Sequence, residues 1–93
     1  MQLQTRTMTI IPGAETAVTL EYPVAMIYSA KLSDTTNGHT KLTVVNGTAA
    51  AGDIEFTGTP ANPASTATLG TAAGATDAVI LEVVPAGAVP ANL

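Results

Sequence analysis

Side chains able to do chemistry are few in this chain, and their spacing is poor. His39 is the single histidine and stands beside Asn37-Gly38. An imidazole can bind a metal or act as a general base, but either role needs partners at a defined spacing. Asp34 is near in sequence, yet there is no His-x-His pair and no serine–histidine–acid arrangement. His39 therefore reads as an exposed turn residue. The carboxylates Asp34, Asp53, Glu55 and Asp77 raise the question of calcium, which takes several oxygen ligands from a short loop. The stretch DTTNG supplies one carboxylate and an amide, too few for such a loop. Asp53 and Glu55 alternate with Ile54 and Phe56, the pattern of a strand with one solvent face. A paired-carboxylate hydrolase would need walls for a substrate cleft, and a chain this small has only Tyr22, Tyr28 and Phe56 as aromatics. Cysteine is absent, which removes disulfides, thiolate metal sites and cysteine nucleophiles together and leaves the redox compartment open. No nucleophile, base and orienting group can be named. The sequence predicts no enzyme, no catalytic residue, no cofactor and no metal site.

Binding chemistry is better represented. Arg6 is the sole arginine, set in an opening segment with Gln4 and Met8. Arginine is enriched at interface hot spots because its planar fork makes bidentate contacts, although a solvated strand residue is the plainer reading. The segment SDTTNGH is longer than a two-residue hairpin and is expected to protrude, presenting Asp34, Thr36 and His39. Gln4, Arg6, Met8, Asp34, Thr36 and His39 are accordingly the candidate partner-binding residues. Asn46-Gly47-Thr48 fits a glycosylation sequon but reads as a turn. The glycines follow neither G-x-G-x-x-G nor P-loop spacing and serve as loop punctuation.

The elements that carry these residues show strand periodicity. In VAMIYSAKL, residues Val24, Met26, Tyr28, Ala30 and Leu32 fall on one face. HTKLTVV and GDIEFT come next, separated by Asn37-Gly38 and Asn46-Gly47, dipeptides suited to positive-φ hairpin turns. Together they predict a β-meander over Val24–Thr57. Upstream, TAVTLEY alternates cleanly, with Val18, Leu20 and Tyr22 inward. Pro23 has no N–H for a ladder and marks a strand end, an edge or a bulge. The opening QLQTRTMTII is β-prone with imperfect alternation, its first half an exposed arm and its second half a strand, closed by Pro12-Gly13. After the proline-rich connection 58–65 come a weak strand at 66–70 and AVILEVV at 78–84, whose apolar Ile80 and Val84 suggest that both faces are covered. PAGAVPANL is neither helix nor central strand and reads as a frayed end or an extended arm. Residues 13–21 and 74–82 agree at six of nine positions, consistent with two strands begun by the same turn type or with chance in an alanine-rich chain. The expectation is one all-β domain over residues 1–93. It is a small β-sandwich or barrel of about seven short antiparallel strands, with an N-terminal arm at 1–7 and a C-terminal tail at 85–93.

Composition limits the partners. A net charge of −4, with Arg6, Lys31 and Lys41 as the only cations, argues against nucleic acid, which needs clustered basic residues. The opening MQLQTRTMT lacks the apolar core of a signal peptide and no run approaches membrane-spanning length, so a soluble product of a cytoplasm, with no membrane partner, is expected. Charged residues are 11% of the chain, far below the roughly 25% of typical soluble domains. Alanine and threonine take their place, and such short side chains lose little rotamer entropy when an interface forms. So short a chain buries roughly 60–65% of its unfolded surface, and a partner subunit would add to a thin margin. These features suit a subunit of a larger assembly.

The pattern resembles the decoration, or cement, proteins of tailed-bacteriophage capsids. The resemblance rests on the arm QLQTRTMTII, on GAETAVTLEYPV, on the loop-rich centre VNGTAAAGDIEFTGTPANPAS and on the terminal AVILEVVPAGAVP. It covers most of the chain in style, with no diagnostic motif, and carries over no family residue. It implies a homotrimer or another small homo-oligomer on the outer surface of the virion capsid, made in the host cytoplasm. There it would bridge neighbouring major capsid proteins against the pressure of packed DNA. The competing reading is an immunoglobulin-like adhesive module, or a small tail, fibre or vertex protein, whose SDTTNGH loop meets a host surface or glycan.

Overall fold

A computed structural model describes residues 4–87. They form six strands and no helix: β1 (Arg6–Ile10), β2 (Ala17–Asp34), β3 (Gly38–Val45), β4 (Asp53–Glu55), β5 (Ala64–Leu69) and β6 (Ala78–Pro85). The sheet order is β1-β6-β2-β3-β4-β5, and β5 returns to pair with β2. Strands β2 to β5 thus close a small four-stranded barrel, with β6 and β1 added on the far edge of β2. The all-β barrel expectation holds, with six strands in place of about seven. The missing strand is a merger, because the two runs divided at Pro23 are a single 18-residue strand.

Ring closure demands a bend in β2. Around the ring β2–β3, β4–β5 and β5–β2 are antiparallel, while β3–β4 is parallel. A ring of straight strands needs an even number of antiparallel steps, and three is odd. The two halves of β2 must therefore run in different directions. Pro23 stands between them, and there the pairing with β5 skips from Thr19 to Val24 against Thr66 and Ala64. A residue without an N–H leaves no ladder bond to lose at such a corner.

Two further bulges rewrite the alternation of the second half. Val24 and Met26 face Pro85 and Val84, and Ile27 and Ser29 face Val83 and Glu82, so β2 gains one residue at each step. Each extra residue flips the phase of the side chains beyond it. Ile27 enters the core, Met26 and Tyr28 turn outward, and Tyr28 is 66% exposed. The two flips cancel, and Ala30 and Leu32 return to the side of Val24. The expected inward face of Val24, Met26, Tyr28, Ala30 and Leu32 is thus corrected at its middle two large residues.

The meander is also corrected, since β4 runs parallel to β3. Parallel neighbours ordinarily need a crossover of a dozen or more residues. Here only Thr43–Val45 pairs with Asp53–Glu55, so the chain must climb back roughly 10 Å, within reach of the seven-residue connection 46–52. Gly47 does not take the positive φ expected of its turn, whereas Gly52 does, at 88°. The connection packs so closely on the end of β5 that a Cβ at Gly70 would overlap the Ala50 carbonyl.

The core draws on every strand. Met8 and Val18 are almost wholly buried, and Val24, Ile54, Val79, Leu81 and Val83 are completely so. Val84, on the opposite face of β6, is covered with Ala25, so β6 is buried on one face throughout and on the other at its end. The two similar segments at 13–21 and 74–82 do begin neighbouring strands, but by different turns. Gly13 and Ala14 both take positive φ, whereas Gly74 does not and instead donates to the Asp77 carboxylate at 2.8 Å.

Candidate functional site

Alternation in β1 sends Met8 and Ile10 into the core. Gln4 and Arg6 share their phase but lie beyond the last covered layer, Arg6 being paired with Val83 near the end of β6. There they line an open groove of about 400 Å³ with Tyr22, Pro23, Pro85 and Ala86. Its walls come from the β2 corner and from the end of β6, which are tied together by the Ala86 N–H donating to the Pro23 carbonyl at 3.0 Å. Two proline rings and a phenol ring give rigid apolar sides, and the guanidinium and the carboxamide give hydrogen-bond donors. Among the described residues the lining contains no carboxylate, imidazole or hydroxyl nucleophile other than the phenol. Such a site can hold an extended segment with small apolar side chains and a carbonyl or carboxylate for Arg6.

The second candidate group sits on the β2–β3 hairpin. Its loop is only Thr35-Thr36-Asn37, with Gly38 at φ 69°, the form in which a turn is followed by a left-handed glycine at the start of the next strand. The loop is longer than a two-residue hairpin, as expected, but by one residue only, because both strands continue to its edge. Asp34 is committed to that loop. Its carboxylate accepts from the backbone N–H groups of Thr36, at 2.9 Å, and of Asn37. The bond from the Asn37 backbone, with lesser help from Thr36, holds its carboxyl below the usual carboxylate range. Thr36 and His39 are exposed, and His39 faces Ser33 across the hairpin.

The six candidates therefore do not form one site. Arg6 lies level with Val83 and Ile27, while Asp34 is seven positions further along β2, roughly 23 Å at strand rise. Met8 is 1% exposed, a core residue that cannot offer its side chain to a partner. Tyr22, Pro23, Pro85 and Ala86 were not among the sequence candidates; the signal for them was the strand-breaking position of Pro23, read as punctuation only.

Three of the remaining carboxylates accept hydrogen bonds. Asp53 accepts from the Ala50 N–H at 3.0 Å and Asp77 from that of Gly74, so all three aspartates of the chain fasten their own loops. Glu82 accepts from the Thr5 hydroxyl at 3.0 Å. Among the described residues no group of three His, Asp or Glu side chains is placed to hold a metal ion. Lys31 and Lys41 stand directly opposite each other on β2 and β3, close to His39, and concentrate positive charge on the outer face of the sheet. No helix is long and apolar enough to cross a membrane, among the described residues. Compared with protein-family models, curated proteins and solved structures, the chain matches none.

Proposed function

We propose that this chain is a structural, non-catalytic virion protein that binds the outer surface of an assembled phage capsid and stabilises it by bridging major capsid proteins. The observation that carries the reading is the groove beside β1, where Gln4 and Arg6 meet rigid walls of Tyr22, Pro23 and Pro85. Its chemistry suits an extended peptide segment, and the aspartates that might have served catalysis are occupied as loop fasteners. Binding only to the assembled lattice stabilises that lattice by mass action, and many copies acting together add to the effect. A small homo-oligomer, a trimer by the resemblance, would multiply the contacts.

Co-sedimentation with expanded capsids of the virus that encodes the chain tests this. The wild-type protein is expected to pellet with capsids, and Arg6→Ala to weaken binding about thirtyfold, as a hot-spot truncation does. Absence of wild-type protein from the capsid pellet would overturn the assignment.

A further inference from the structure

The outer edge of β1 is an open hydrogen-bonding edge among the described residues, since β1 pairs with β6 alone. Natural edge strands are usually guarded by lysines, a proline, a bulge or an inward-pointing charge. Arg6–Ile10 has an unbroken register with β6, no proline and one charge, at its first residue. We propose that this edge pairs with the same edge of a second copy, antiparallel about a two-fold axis at Met8, to join two sheets into one.

The sequence of the edge is self-complementary. In an isologous contact residue i meets j and j meets i, and because Thr7-Met8-Thr9 is symmetric about Met8, a two-fold axis there sets like against like. Centred on Met8, the pairing sets Thr7 opposite the second copy's Thr9 on the outer face, twice over. Opposed threonines are favourable cross-strand partners on a sheet. Arg6 meets Ile10, so no like charges face each other and the arginine stem covers a half-buried side chain. Thr5 meets Ile11, one of three large apolar residues left exposed among the described residues, at 62%. That position extends an existing row, because Thr5 continues the register beside Val84, which faces Met26, another of the three. Pro12 would stand opposite Gln4, where its missing N–H ends the ladder. A seven-residue ladder buries less than the roughly 1,200–2,000 Å² of stable complexes, so the dimer is weak in free solution.

The pairing is independent of the capsid reading and is tested without capsids. Sedimentation equilibrium up to about 1 mM protein should show reversible dimerisation of the wild type. Thr7→Lys with Thr9→Lys places lysines opposite each other across the axis and should weaken the dimer at least about tenfold. Thr7→Lys with Thr9→Glu places opposite charges there, keeps Glu82 opposite a cation, and should restore or exceed wild-type association, particularly at low salt. Thermal melts of each variant confirm that the monomer fold persists, as expected for two exposed positions. A wild type that stays monomeric throughout the range, or two double variants that associate equally, would overturn the proposal.

Discussion

Between Ala17 and Tyr22 every second side chain of β2 enters the barrel; between Val24 and Leu32 the same strand breaks that rhythm twice. The first half has one neighbour, β5, and ends at a corner. Beyond it, β2 is held on one edge by β6 and further along by β3 on the other. Both added residues fall between Val24, the last residue paired with β5, and Ala30, the first paired with β3, where β2 is held by β6 alone and an extra residue can increase the local twist. The cost is that Met26 and Tyr28, apolar and in phase by sequence, lie outside. This produces the largest contrast between the two halves. Leu20→Ala, in the regular half, should lower stability by about 3 kcal/mol, as for other buried leucines. Tyr28→Ala should cost less than about 1 kcal/mol, because most of its surface already faces water. Urea midpoints at unchanged slope provide the measurement. Equal losses at Leu20 and Tyr28 would mean that the bulges are absent.

A second contrast lies between the tight and open loops. Gly52 takes positive φ with nothing near its missing side chain, so backbone conformation alone favours glycine there. Gly70 has an ordinary φ but lies against the Ala50 carbonyl, so space favours it. Gly70→Ala should therefore push the 46–52 connection away from β5 and cost about 2 kcal/mol, in the range of overpacked interiors. It should also expose the amides around Asp53, whose N–H donates to the Ala50 carbonyl at 2.9 Å, to faster hydrogen exchange. A loss of stability without faster exchange at Asp53 would place the strain elsewhere.

Legibility in the sequence divides along the same lines. Local period-two patterning identified the all-β class and the inward faces of Val18, Leu20, Ile54 and Phe56. Those residues lie in short or regularly paired segments, where alternation and burial agree. The bulges at Ala25 and Tyr28 have no glycine or charge to announce them; they lie where β2 passes from its β5 partner to its β3 partner along β6, and those pairings are non-local. The parallel β3–β4 contact was hidden for a related reason. Two strands joined by a short connection look like a hairpin until the direction of the third partner is known. Gln4 and Arg6 were visible as a polar start to an apolar strand, but their groove needs Pro23 and Pro85, brought together from distant parts of the chain.

At the far end of the irregular half, Asp34 closes β2 and makes the smallest of these effects. Its folded-state pKa lies below the ordinary value of 3.8, chiefly because the Asn37 backbone N–H donates to the carboxylate. A depressed carboxylate pKa contributes stability above the unfolded value and loses it as pH falls through the folded value. The wild type should thus lose a small increment of stability on acidification below about pH 4 that Asp34→Asn, which keeps an oxygen acceptor but cannot titrate, does not lose. The other acids titrate in both proteins and cancel in the difference. Melting temperatures of the pair, tracked from about pH 6 to about pH 2, should therefore converge as the solution becomes acidic. Solvent surrounds this carboxylate, so the convergence should be modest and confined to that window. A gap that stays constant with pH would show that the hairpin is held by Gly38 and the strand ladder, with no help from the charge of Asp34.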